Sequence, residues 1–254
     1  MARMRIETAP GAAWIGDYMA GVHDGFDQYG SILFDGRNTI REDVVAGRRI
    51  TVKRFRKDKG LKKLINRFRK GKAVKSFRNA LRLAALGVDT PEPLAYMEVR
   101  DAMGFRKAQY YVCAYTDEEA IEDWVTAPER FDALFMTSLA KFVADLHGKG
   151  VIHKDLNNTN IRWRREGHAY RFSLIDINRM RFYDGGKLPT DVRLRNLTHF
   201  SGLTEGFRYF VRAYLRTAML PEGLYGESIR IKRQVDAAYG RKKRFTNALK
   251  RLFS

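Results

Sequence analysis

The sequence predicts an α+β fold in two parts: an antiparallel β-sheet part that carries a helix, then a mainly α-helical part. Three observations carry this. In short runs between residues 31 and 55 and again between residues 94 and 115, β-branched and aromatic residues recur with a period of two. Beyond Asp117, apolar residues recur at helical spacing, and the polar run from Thr116 to Glu119 separates the two patterns. With 254 residues and 44% hydrophobic content, the chain can form one large domain or two small lobes, each with its own core. The boundary near Asp117 gives a first part of residues 1–117 and a second of residues 118–254.

In the first part, Ser31 to Phe34, Thr39 to Val45 and Arg49 to Phe55 read as strands of a meander. The turn signals Asp35-Gly36-Arg37-Asn38 and Ala46-Gly47 separate them. The period then changes. Leu61, Leu64, Ile65 and Phe68 share one helical face, Gly71 interrupts, and Val74, Phe77, Leu81 and Ala84 mark a second helix that ends at Gly87. Thr90-Pro91-Glu92-Pro93 is a rigid extended connector into a strand pair, Leu94 to Val99 and Gln109 to Tyr115. In the second part, Phe135, Leu139, Phe142, Val143 and Leu146 form an apolar helical stripe ahead of Gly148 and Gly150.

Charge narrows the partners. The sequence holds 48 Lys+Arg against 29 Asp+Glu, a net +19, so its surface favours polyanions such as nucleic acid, phosphorylated glycans or anionic lipid. Fourteen Lys and Arg with one acid, Asp58, lie between Lys53 and Arg82. Nine more, with Asp236, lie beyond Ser228. The cluster from Lys242 to Arg244, followed by Phe245, Leu249, Leu252 and Phe253, reads equally as an interfacial amphipathic helix or as a terminal helix packed on the second part. A single cysteine, Cys113, excludes an intramolecular disulfide and a cysteine metal cluster. The N-terminus lacks a continuous apolar run and no stretch of 18 uncharged apolar residues occurs, so the expected location is the cytosol, with peripheral contact to a membrane.

The residues that carry chemistry lie in VIHKDLNNTNI, residues 151–161. His153, Asp155, Leu156 and Asn160 fit H-x-D-L-x-x-x-N, and FSLIDIN follows after the hairpin-like RWRREGHAY. Phosphoryl transfer gives that spacing a purpose. An Asp on a rigid loop meets the acceptor hydroxyl, an Asn one turn further reaches a divalent metal, and a second Asp from the next hairpin holds the bridging metal. Asp155, Asn160 and Asp176 fill those roles. Lys53 is the candidate counter-charge for the α- and β-phosphates, since on a strand it shares a face with Phe55 while Arg54 and Arg56 share the other.

The run LHGKGVIHKDLNNTNI with LIDIN resembles the catalytic and metal-binding loops of the protein kinase-like fold. Together with KSFRNALRLAALGVDTPEPLAYME, it is similar to the Kdo/WaaP lipopolysaccharide kinase family over roughly Gly36 to Phe210. The resemblance implies a two-lobed kinase that uses ATP and Mg²⁺ and phosphorylates a Kdo or heptose hydroxyl of lipopolysaccharide inner core. It implies work at the inner face of the inner membrane. It also implies Asp155 as catalytic base, Asn160 and Asp176 as metal ligands, and Lys53 on the nucleotide phosphates. The sequence departs from the general kinase pattern in three places. A G-x-G-x-x-G loop is replaced by Gly36-Arg37-Asn38, so phosphate cover falls to a short turn with Arg37 as its cation. The helix from Lys72 to Leu86 has no Glu, so Lys53 must find Asp176, Glu92 or Glu98. Asn178 stands where Gly follows the metal-binding Asp.

Ordinary readings stand beside these. In isolation HKDLNNTN is as well explained by a loop with Asx-turns, and Asn157 is either a turn former or a group near the γ-phosphate. Lys53, Asp155 and Asp176 together favour the kinase. A compact RIO-like Ser/Thr protein kinase is the second expectation. A nucleic-acid-binding module is disfavoured, because it leaves Asp155, Asn160 and Asp176 unexplained.

Overall fold

The computed structural model describes residues 3–252 apart from 59 and 201. The chain divides into two compact units, one of residues 1–117 with 174–179, the other of residues 118–173 with 180–254.

The first unit is built on a six-stranded antiparallel sheet. Its strands are β1 (Arg3–Thr8), β2 (Ser31–Asp35), β3 (Thr39–Val45), β4 (Arg48–Arg54), β5 (Pro93–Arg100) and β6 (Arg106–Ala114), ordered β1-β5-β6-β4-β3-β2. The meander expected from the turn signals is present: Val45 pairs with Arg48 across Ala46-Gly47, where both turn residues have positive φ. Three helices accompany the sheet: α1 (Gly16–Gly25), α2 (Leu61–Asn66) and α3 (Lys72–Ala85). The core joins Ile50 and Val52 of β4, Tyr96 and Met97 of β5, Val112 of β6, Phe77 of α3 and Met19 of α1. Each such side chain contributes about 1.5–3 kcal/mol through burial.

Strand β1 and helix α1 are additions to the pattern expected from sequence. β1 pairs in register with β5, Arg3 opposite Arg100 and Thr8 opposite Ala95, as an edge strand. Its apolar residues Met4 and Ile6 are exposed, so its alternation marks no core face. α1 holds the unit through Met19 and Val22.

Helix α3 starts where Gly71 brings the chain against the sheet: a Cβ there would lie 2.3 Å from Glu98 Oε2 and 2.4 Å from Gln109 Oε1. Gln109 uses that closeness, its Oε1 accepting from the backbone N–H of Lys72 (2.6 Å) and Ala73 (3.4 Å), the donors that a helix start leaves orphaned. The helix ends at Gly87, φ 63°, with Val88 N donating to Leu83 O at 2.9 Å.

The second unit holds α4 (Glu122–Thr126), α5 (Ala133–Gly148), α6 (Thr190–Leu197), α7 (Glu205–Thr217) and α8 (Leu224–Leu252). Its strands are β7 (Glu119–Ala120), β8 (Val151–His153), β9 (Ile161–Glu166), β10 (Ala169–Leu174) and β11 (Met180–Phe182). They form a three-stranded sheet, β10-β9-β7, and a two-stranded one, β11-β8. The stripe expected on α5 is its buried face: Phe135, Leu139, Val143 and Leu146 pack inward, and Asp132 caps the start by accepting from Phe135 N at 2.9 Å. Trp124 stacks on Phe135 at 4.3 Å, with Trp163 edge-on to both. Helix α8 packs against α6 and α7, with Ile229, Ile231 and Lys232 buried, while Phe245 further along is exposed. The side chains of Lys243, Leu249 and Leu252, and all of Phe253, lie outside the described residues.

Candidate functional site

In the first unit, Lys53 and Asp176 meet. Lys53 is on β4, opposite Ile40 on one side and Tyr111 on the other. Its Nζ lies 5.2 Å above the Phe55 ring and donates to Asp176 Oδ1 at 2.6 Å. Arg54 takes the other face, pairing with Asp27 at 2.9 Å and stacking on Phe26 at 4.2 Å. Alternation along the strand thus assigns the two cations to different neighbourhoods. Of the three acids open to Lys53 in the sequence, Glu98 is engaged elsewhere, by Arg100 Nε at 2.6 Å.

Asp176 is delivered by residues 174–179, which leave β10 and dock on the first unit. Leu174 N donates to Asp89 O, Thr90 Oγ1 donates to Leu174 O at 2.7 Å, and Asn79 Nδ2 of α3 donates to Ile177 O at 2.7 Å. Asp176 has φ 53°, a left-handed conformation that Asp tolerates better than most residues. Asn178 Nδ2 donates to the same Oδ1 at 2.8 Å, so the residue that stands in place of Gly steadies the carboxylate.

Around this pair the charge is positive. Lys72, the first residue of α3, carries its Nζ 6.0 Å from the same Phe55 ring. Burial holds its pKa below the ordinary value, Arg37 and Lys53 add repulsion, and Asp58 and Asp176 partly offset it. The turn expected to cover phosphates, Gly36, Arg37 and Asn38, joins β2 to β3. It is closed by Gly36 N donating to Asn38 O at 3.2 Å and tied to the end of β4 by Arg56 N donating to Asn38 Oδ1 at 3.2 Å. Gly36 lies under the Phe34 ring, where a Cβ would come within 2.7 Å of ring carbon. Cys113 is buried, which pushes its thiol up to about 12 and leaves it inert.

In the second unit, the loop after β8 carries Asp155 and Asn160. Asn157 organises it. Its Oδ1 accepts from Thr159 N, Thr159 Oγ1 and Asn160 N at 3.1, 2.8 and 3.0 Å, so Asn157 forms the turn. Asn160 Nδ2 donates to Asp155 O at 2.8 Å, and Asp155 N donates to His153 Nδ1 at 3.1 Å. Asp155 is half-buried and Asn160 buried. His153 therefore braces the loop.

Beneath the loop runs a polar chain that the sequence did not disclose. His153 O accepts from Asn196 Nδ2 at 2.9 Å, and Asn196 Oδ1 lies 3.0 Å from His147 Nε2. Because an amide oxygen only accepts, Nε2 carries the ring proton and Nδ1 receives the Tyr214 hydroxyl at 2.7 Å. Burial pulls His147 down to about 4 and pushes Tyr214 up to about 12, so both stay neutral. These residues sit 49 and 67 positions from His147, beyond any local motif.

Among the described residues, no group of three or more His, Cys, Asp or Glu could cage a metal. The carboxylate of Asp176 and the amide of Asn160 are oxygen donors of the kind Mg²⁺ takes. That ion usually binds one or two carboxylates together with substrate phosphates rather than an all-protein cage.

Comparison with solved structures places the chain in a class. A structure described as WaaP in complex with acyl carrier protein is similar over 93% of this chain and 99% of that one, at 22% identity and TM-score 0.61. The Rio2 kinase of Chaetomium thermophilum, solved as an ADP/Mg²⁺-phosphoaspartate complex, is similar over 90% of this chain and 78% of that one, at 16% identity and TM-score 0.48. The fold is protein kinase-like.

No curated protein matches the sequence. The family comparison is specific: residues 37–205, more than half of the chain, match the Lipopolysaccharide kinase (Kdo/WaaP) family, and the chain belongs to that family. It is therefore a phosphotransferase acting on a sugar hydroxyl.

Proposed function

We propose that the protein transfers the γ-phosphoryl group of Mg²⁺-bound ATP to a Kdo hydroxyl of the lipopolysaccharide inner core or lipid A precursor, at the inner face of the inner membrane. The observation that carries the nucleotide half is the 2.6 Å pairing of Lys53 with Asp176, residues 123 positions apart. In phosphoryl transfer a strand lysine serves the nucleotide phosphates and a carboxylate serves the metal, so bringing the two together supports this reading.

Each residue then has one task. Lys53 pairs with the α- and β-phosphates, with Lys72 and Arg37 adding positive charge and the Gly36–Asn38 turn supplying backbone cover. Asp176 and Asn160 would hold the metal, which when bound would supply positive charge to the transferring group. Asp155 orients the acceptor hydroxyl and takes its proton as the oxygen attacks phosphorus and the bond to ADP breaks. Catalysis is mostly positioning plus electrostatics. Kdo is favoured over heptose because its carboxylate suits a chain of net charge +19.

The test supplies labelled ATP separately with Kdo-lipid A precursor, heptosylated core and a generic protein acceptor. Label on the Kdo acceptor supports the reading, and label on heptose alone corrects the sugar. Label on the protein alone overturns it in favour of a RIO-like protein kinase. Asp155→Ala is expected to lower turnover about 10²–10⁴-fold with nucleotide binding intact.

A further inference from the structure

The turn from Leu61 to Arg69 presents an apolar ridge to solvent. Leu61, Leu64, Ile65 and Phe68 fall at helical spacing on one face, and all four are exposed, Leu61 at 72% and Phe68 at 86%. Met103, in the turn between β5 and β6, is exposed at 65%. Exposed apolar side chains grouped on one face mark an interaction site more often than isolated exposed leucines do.

The way the ridge is attached explains why it stays exposed. The segment is held by its backbone, not by its apolar side chains. Arg106 donates through Nη2 to the carbonyls of Asn66 and Arg69, and Arg100 donates through Nη1 to Arg67 O at 2.8 Å and Gly104 O at 2.9 Å. Both arginines are anchored on the buried Glu98. Arg100 Nε bonds its Oε1 at 2.6 Å, and Arg106 Nε lies 2.8 Å from its Oε2 as an ion pair not aligned for a hydrogen bond. This buried ionic node grips the carbonyls from below and leaves the apolar side chains facing outward.

Cations frame the ridge. Lys57, Arg69 and Lys70 are exposed, while Lys63 and Arg67 lie over the Phe105 ring at 4.6 and 5.0 Å. Apolar side chains between cations match an anionic bilayer, where the apolar groups enter the acyl boundary and the cations meet headgroup phosphates.

We infer that the turn 61–69, with Met103, is a membrane-docking element that inserts Leu61, Leu64, Ile65 and Phe68 into an anionic lipid surface. The choice of occupant rests on the glycolipid-kinase reading; the existence of the ridge does not.

The test is sedimentation of the full chain with vesicles of phosphatidylcholine alone or with about one third phosphatidylglycerol. Wild type is expected to bind the anionic vesicles about tenfold or more tightly than the neutral ones, and less at about 0.5 M salt. The double variant Leu64→Asp with Phe68→Asp is expected to lose about tenfold or more of that binding while phosphorylating a delipidated Kdo-containing core oligosaccharide as wild type does. In Phe68→Trp, emission should shift to the blue on adding anionic vesicles. Equal vesicle binding by wild type and the Asp variant, or an unshifted Phe68→Trp spectrum, overturns the inference. So does a wild-type dimer, or a complex with an acidic protein, that the Asp variant cannot form while neither protein binds vesicles. Ridge-dependent vesicle binding without labelling of any sugar acceptor leaves the docking element standing and overturns the substrate reading instead.

Discussion

Lowering the pH from 7.5 to 5.0 should destabilise the protein through His147. The imidazole is buried, donates through Nε2 to Asn196 and accepts at Nδ1 from Tyr214, and has its pKa lowered from 6.5 to about 4 chiefly by burial. Between those values the unfolded chain binds a proton that the folded chain refuses. Stability is therefore full above about pH 6.5 and falls as pH drops towards 4. At pH 5.0 the difference amounts to about 2 kcal/mol, approaching about 3 kcal/mol at lower pH. His147→Gln retains an amide donor for Asn196 but cannot titrate. Urea unfolding, followed by Trp124 and Trp163 in a Trp14→Phe background, reads the unit that contains His147. Wild type should lose about 2 kcal/mol more than His147→Gln between the two pH values, a midpoint shift of about 1 M urea. Parallel pH dependence in the two proteins would refute the claim that His147 stays neutral in the fold.

Other perturbations probe the nucleotide half. Lys53→Met should lower kcat/KM by about 10²-fold or more, while Arg54→Met, on the other face of β4, should change it less than about threefold, as steady-state kinetics will show. Lys72→Met should raise the KM for ATP several-fold with a smaller effect on kcat, since it removes charge near the phosphates without touching the acceptor. Asn178→Ala frees Asp176 from a 2.8 Å restraint and should weaken Mg²⁺-dependent nucleotide binding, measured by titration calorimetry. Gly71→Ala drives a methyl group into Glu98 and Gln109 and should cost about 1–3 kcal/mol in thermal unfolding.

Much of this was legible in the sequence because it is local. Period-two runs and Gly turns marked β2 to β6, and the i, i+3, i+4 pattern marked α2, α3 and α5. Alternation about Phe55 put Lys53 on a different face from Arg54, while the missing Glu in α3 left Asp176, Glu92 and Glu98 open as its partner, a choice that only the fold makes. What stayed hidden depends on distant partners or breaks the burial pattern. β1 exposes Met4 and Ile6, so hydrophobicity does not announce it. His147 sits in an ordinary-looking helix end and acquires its role only from Asn196 and Tyr214. Gln109 caps α3 from a strand 37 residues away. The apolar spacing from Leu61 to Phe68 was visible, but period alone does not say whether a face is covered. Here the grip of Arg100 and Arg106 on the backbone decided it.

In kinases that pair the phosphate-binding lysine with a helix glutamate, rotating the helix breaks the pair and silences the enzyme. Here the partner of Lys53 is Asp176 itself, and α3 merely clasps the neighbouring Ile177 carbonyl through Asn79. With no glutamate to withdraw, a swinging helix has no switch to throw.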